Sequence, residues 1–154
     1  MSTPSGRATK SPRSGWAEPL HLDFAVLADY ALIDQQGKLS VLGMFQHVWV
    51  PNFPAVHPRL HLVLRVRGRR TEIGEHKIRI RFVDEAQQEL MVGEGTVQFG
   101  EPPAGITDIE ASAVLVFDVP LPRPGGYAFE VRLDGHDTTR IPLTAAAIPG
   151  SPPS

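Results

Sequence analysis

Between residues 59 and 83 the chain alternates apolar and polar positions twice over. Leu60, Leu62, Leu64 and Val66 share one parity, with His61, Val63, Arg65 and Arg67 on the other. Ile78, Ile80 and Phe82 then alternate with Lys77, Arg79 and Arg81. A period of two is the repeat of a strand with one dry and one wet face. A glycine-containing turn separates the runs, so the pattern predicts an adjacent antiparallel pair whose aliphatic side needs a second layer to cover it.

The rest of the chain supplies that layer. Residues 20–33 (LHLDFAVLADYALI) are apolar on both parities. The DQQG and KLSVLGMF that follow make a hairpin with Gln36 and Gly37 near its tip, so this stretch reads as a strand despite its helix-forming Ala and Leu. Residues 38–45 form the returning strand, with Gly43 as a bulge or close-packing point and 47–50 as an extension. Pro51, Pro54 and Pro58 make the next stretch an irregular crossing. Residues 90–99 predict a strand weakened by Gly93 and Gly95, and 109–119 another with Ala113, Leu115, Phe117 and Val119 on one side.

The final pair raises a register question. Tyr127, Phe129, Val131 and Leu133 point in, while Glu130 and Arg132 point out. A two-residue turn at Asp134 and Gly135 would pair Tyr127 with Pro142 and put Ile141 and Leu143 on the wrong face. A three-residue loop pairs Phe129 with Ile141 and keeps every apolar residue inside, because a one-residue slip flips the whole dry face. Pro142 then marks an edge or bulged strand.

The total is about eight strands with no helix, a pattern that folds into two stacked sheets or a barrel. The expected fold is an all-β, two-layer antiparallel Ig-like β-sandwich over residues 20–147. Disordered tails are expected at 1–19 and 148–154, where apolar content is low apart from Trp16.

Composition narrows the function. The 154 residues hold 15 Pro and 14 Gly, which suits many short strands joined by turns. With no Cys, disulfides and thiolate chemistry are excluded. The net charge of -2 argues against a dedicated polyanion binder. No apolar run approaches a membrane span, and residues 1–15 lack the apolar core of a secretion signal, so a cytoplasmic protein is expected.

Charge is uneven. Eight basic residues (Arg59, Arg65, Arg67, Arg69, Arg70, Lys77, Arg79 and Arg81) stand against Glu72 and Glu75. Arg65, Arg67, Lys77, Arg79 and Arg81 would share the wet side of the predicted pair. Such a patch suits an anion or an acidic protein partner. If Arg65 faces Arg79, like charges oppose across the ladder, which destabilises it. No aromatic interleaves with the arginines to stack bases, which argues against nucleic acid. The simpler reading is a solvated face neutralised by neighbours such as Glu94 and Glu130.

Other chemistry is sparse. His57 and His61 are four apart, but Pro58 and the strand after it keep them from converging as zinc ligands. Asp29 in an apolar strand is either a strand-edge residue or a carboxylate with a shifted pKa. The GEG at 93–95 is too short for a phosphate loop, and Ser40 and Ser112 have no neighbouring His and Asp. No cofactor, metal or catalytic set is predicted.

The segments LADYALIDQQGKLSVLGMF, NFP, GEHKIRIRFVDE and PGGYAFEVRLDG with IPL, over roughly residues 23–143, resemble a family of short uncharacterised bacterial proteins. The resemblance implies the sandwich fold and no site. The expectation is a non-enzymatic binding or assembly module, meeting another protein or itself through an edge strand or the basic face. The alternative is a small-ligand or carbohydrate cleft near Trp49, Asn52 and Phe53, where aromatics and an amide gather. An exposed apolar strip on an edge strand favours assembly, and a concave pocket near 49–53 favours a ligand.

Overall fold

The computed structural model describes residues 19–135 and 138–150, so most of both expected tails, Trp16 included, lies outside the described residues. The elements are β1 (His21–Ile33), β2 (Leu39–Met44), β3 (His47–Val50), β4 (Ala55–Arg69), a 3-10 turn (Arg70–Glu72), β5 (Gly74–Asp84), β6 (Glu89–Phe99), β7 (Asp108–Leu121), β8 (Gly125–Leu133) and β9 (Thr138–Ala147). They form a two-layer sandwich. A four-stranded sheet runs β2-β1-β4-β7 and a five-stranded sheet runs β3-β9-β8-β5-β6. No helix among the described residues is long and apolar enough to cross a membrane.

The predicted pairing of residues 59–67 with 77–83 is wrong. β4 and β5 lie in different sheets. The 3-10 turn and Ile73 carry the chain across the gap between layers, which is about 10 Å in stacked sheets. Side by side, the two dry faces would make one wide apolar surface still to be covered. Face to face they cover each other, and Leu60, Leu62, Leu64 and Val66 share one core with Ile78, Ile80 and Phe82. Glu72 holds the crossing, accepting from the amides of Arg69 at 2.8 Å and Leu20 at 3.1 Å. Arg65 therefore never meets Arg79. It lies between Phe24 and Ser112, whereas Arg79 lies between Glu94 and Arg132.

The other departures are smaller. Residues 47–50 do not extend β2 but cross to the other sheet and pair parallel with β9, the exception among the ladders of the described residues. Ile148, expected in the tail, donates its amide to the Val50 carbonyl at 2.9 Å. The double parity of β1 has two destinations. Leu27 enters the main core, while Val26 on the opposite face aligns with Val63 and Val114 in a second, shallow cluster with Ala28. Gly93 and Gly95 prove to be close-packing points: a Cβ there would fall 2.8 Å from the Phe117 ring and 2.9 Å from Leu115. Their bareness lets β6 close down on β7.

The terminal register is the one that keeps the dry face inside. Phe129 lies opposite Ile141 and Tyr127 opposite Leu143. Among the described residues Pro142 sits where β9 has β8 on one side only, since β3 pairs with residues 144–147.

Candidate functional site

The five basic residues divide between the two outer surfaces of the sandwich. Arg65 and Arg67 leave the four-stranded sheet; Lys77, Arg79 and Arg81 leave the five-stranded one. On the first surface, Arg65 meets Glu110 at 3.4 Å, and Arg67 meets Asp23 at 3.1 Å and Glu110 at 3.2 Å. On the second, Arg79 meets Glu94 at 2.8 Å, while Arg81 meets Glu89 at 2.9 Å and Glu130 at 2.8 Å. Glu94 and Glu130, named from the sequence as neutralising neighbours, pair with Arg79 and Arg81, while Lys77 makes no ion pair with a described residue.

One arginine stands apart. Arg132 on β8 lies directly opposite Arg79. Its guanidinium donates to Thr138 Oγ1 at 3.1 and 3.2 Å, and no carboxylate of the described residues pairs with it. A groove of about 580 Å³ opens here, lined by Lys77, Arg79, Glu94, Thr96, Arg132 and Asp134. A second of about 380 Å³ shares Arg79 and Arg132. In the sequence Arg132 was only one polar position of an alternating strand; its neighbours come from pairing with β5.

Histidine chemistry centres on His76. Its Nδ1 is 2.6 Å from Asp134 Oδ2 and its Nε2 2.6 Å from the Glu72 carbonyl oxygen. Both partners only accept, so the ring that satisfies both is the doubly protonated one. Burial works against that charge, but the Glu72 carbonyl and the Asp134 carboxylate outweigh it and raise the pKa above the ordinary 6.5. A raised folded-state pKa adds stability that is complete below the unfolded value and lost as pH rises through the folded one. Melting temperature should therefore fall as pH rises above about 6.5, and His76→Gln should flatten that slope. An unchanged slope in the variant would assign the pH dependence elsewhere.

The remaining titratable candidates do not converge. His57 packs its ring 5.5 Å from that of Phe45, and burial lowers its pKa against the opposing pull of Asp29. Asp29 is exposed on β1, with its carboxylate over Gly43. Among the described residues no group of His, Asp and Glu is arranged to hold a metal ion.

Trp49 and Phe53 diverge. β3 sends Val48 and Val50 into the core and Trp49 outward, 59% exposed, while Phe53 packs against the core. A groove of about 380 Å³ nearby is lined by Leu27, Met44, Phe45, His47 and Ile141 among others, and includes none of Trp49, Asn52 and Phe53.

Beside that groove lies the edge of the four-stranded sheet. Leu42 and Met44 on β2 are 65% and 67% exposed, and Tyr30, the cross-strand neighbour of Leu42, is also exposed. Val116 and Val56 extend the exposed apolar character across β7 and β4. The sequence showed a strand here, but not that it would be an edge.

Residues 23–146 match the model of a family of unknown function. No curated protein matches the chain.

Proposed function

We propose that this chain, which belongs to the family of unknown function DUF6941, is a non-enzymatic assembly module that pairs with a second copy of itself along β2. The observation that carries this reading is a sheet edge left unguarded among the described residues. Natural sheets blunt their edges with charge, proline or brevity. β7 carries Asp108, Glu110, Asp118 and Pro120, β6 carries Glu89 and Glu94, and β3 has four residues. β2 has six residues, LSVLGM, with neither a charge nor a proline.

Two copies of β2 run antiparallel would exchange backbone hydrogen bonds and bring no like charges together. Their apolar side chains would lie along one seam, in the two-fold arrangement commonest among homo-oligomers. An Ig-like reading of the scaffold fits this role. It is supported by strand order, since β1-β4-β7 and β9-β8-β5-β6 follow the A-B-E and G-F-C-C′ arrangement of such sandwiches. The rival ligand cleft has less support, because Trp49 and Phe53 face apart.

Sedimentation velocity from low micromolar to hundreds of micromolar tests the proposal. Wild type should show a concentration-dependent dimer, and Leu42→Lys should remain monomeric with an unchanged circular dichroism spectrum. A wild type that stays monomeric throughout, or a Leu42→Lys variant that still dimerises, would refute it.

A further inference from the structure

We infer that the outer face of the five-stranded sheet carries a binding site for the phosphate group of a small ligand, built from Lys77, Arg79 and Arg132 with Thr96 and Thr138. The argument starts from an unbalanced pair. Arg79 and Arg132 are direct cross-strand neighbours on β5 and β8, and like charges so placed destabilise the ladder. Elsewhere on this face each such problem has its carboxylate: Glu130 sits between Arg81 and Arg140, at 2.8 and 3.1 Å. Between Arg79 and Arg132 no described residue supplies one.

Glu94 meets Arg79 from the far side, and with side chains 59% and 72% exposed this pair is solvent-screened and weak. Lys77 makes no ion pair with any described residue and stands on the same groove. Thr138 Oγ1 holds the Arg132 guanidinium from one edge, which fixes the fork. Thr96, opposite Lys77, brings a hydroxyl to the same side.

Two guanidinium groups, an ammonium and two hydroxyls are the donor set for a dianionic phosphate, with arginine supplying planar paired donors. The concavity of about 580 Å³ leaves room for more than the phosphate itself. Among the described residues no aromatic side chain lines it, so these offer a nucleic-acid base no stacking platform.

Calorimetric titration with inorganic phosphate and with phenyl phosphate, at matched ionic strength in chloride, tests the site. Wild type should bind saturably. Arg132→Gln should weaken binding by about tenfold or more, the loss of a charge-assisted hydrogen bond. Its melting temperature without ligand should be unchanged or slightly raised, because a like-charge contact is gone. Arg140→Gln, on the same face but paired with Glu130, should bind within about twofold of wild type. Tighter binding of phenyl phosphate would assign the site to an ester, and equal binding to the free ion. No saturable binding, or equal weakening by Arg132→Gln and Arg140→Gln, would overturn the inference.

Discussion

Phe129→Ala is expected to lower the unfolding free energy by about 3–5 kcal/mol, the range for truncating a buried phenylalanine. The residue sits mid-strand on β8, fully buried, with Phe82 opposite on β5 and Ile141 opposite on β9. Its ring centroid is 4.7 Å from that of Phe82 and 6.0 Å from that of Phe117 on the facing sheet. Truncation therefore opens a void between layers that strands pinned by ladders on both sides cannot close. Glu130→Ala, one residue on, should cost less than about 1 kcal/mol. Its partner Arg81 keeps Glu89, and Arg140 is half exposed and can be hydrated. Urea unfolding of both variants makes the comparison. Equal losses would reject the alternation on which the strand assignments rest.

That alternation was the legible part of the fold, because burial on one face leaves its mark at every second residue. Phe129, Val131 and Leu133 declare their face locally, and parity then dictated the register of β8 with β9. Which strand lies beside which is a different kind of information. The dry faces of β4 and β5 satisfy a hairpin and a sandwich crossing equally well, and the choice depends on partners far away in the chain. β4 pairs with β1 and β7, and β5 with β6 and β8. The basic cluster inherited the error: five residues close in sequence ended on opposite surfaces once residues 70–73 crossed between layers.

The candidate sites were less legible for the same reason. Arg132 matters because pairing sets it against Arg79, and Leu42 because no described residue pairs on the far side of β2. Neither circumstance shows in local composition. Gly93 and Gly95 did carry a signal, since glycine inside a strand often marks close approach. What approached, the Phe117 ring and Leu115, required the facing sheet.

Asp84→Ala is expected to cost about 2–4 kcal/mol, for reasons the sequence did not display. In DEAQQE the residue reads as one more polar turn position. In the fold it closes β5 with 2% of its surface exposed. Its Oδ1 accepts from the amides of Ala86 and Gln88, both at 2.9 Å, and its Oδ2 pairs with the Arg123 guanidinium. Arg123 belongs to the corner between β7 and β8. There its amide donates to the Tyr127 hydroxyl at 3.1 Å, and that hydroxyl donates back to the Arg123 carbonyl oxygen at 2.5 Å. Tyr127 in turn stacks on Phe82, 5.3 Å between centroids. One carboxylate thus ties two turns at the same end of the five-stranded sheet. Alanine leaves two turn amides without their acceptor and frees the corner. Arg123 is 56% exposed and can be hydrated, which keeps the cost below that of stranding a fully buried charge. Asp84→Asn retains an oxygen for the two amides but turns an NH2 donor toward Arg123 in place of the accepting oxygen; with Arg123 able to swing into water it should cost about 1–2 kcal/mol. The order alanine above asparagine, read from denaturant midpoints, separates the amide contribution from the ionic one. An alanine variant within about 0.5 kcal/mol of wild type would mean that water replaces the carboxylate in the turn.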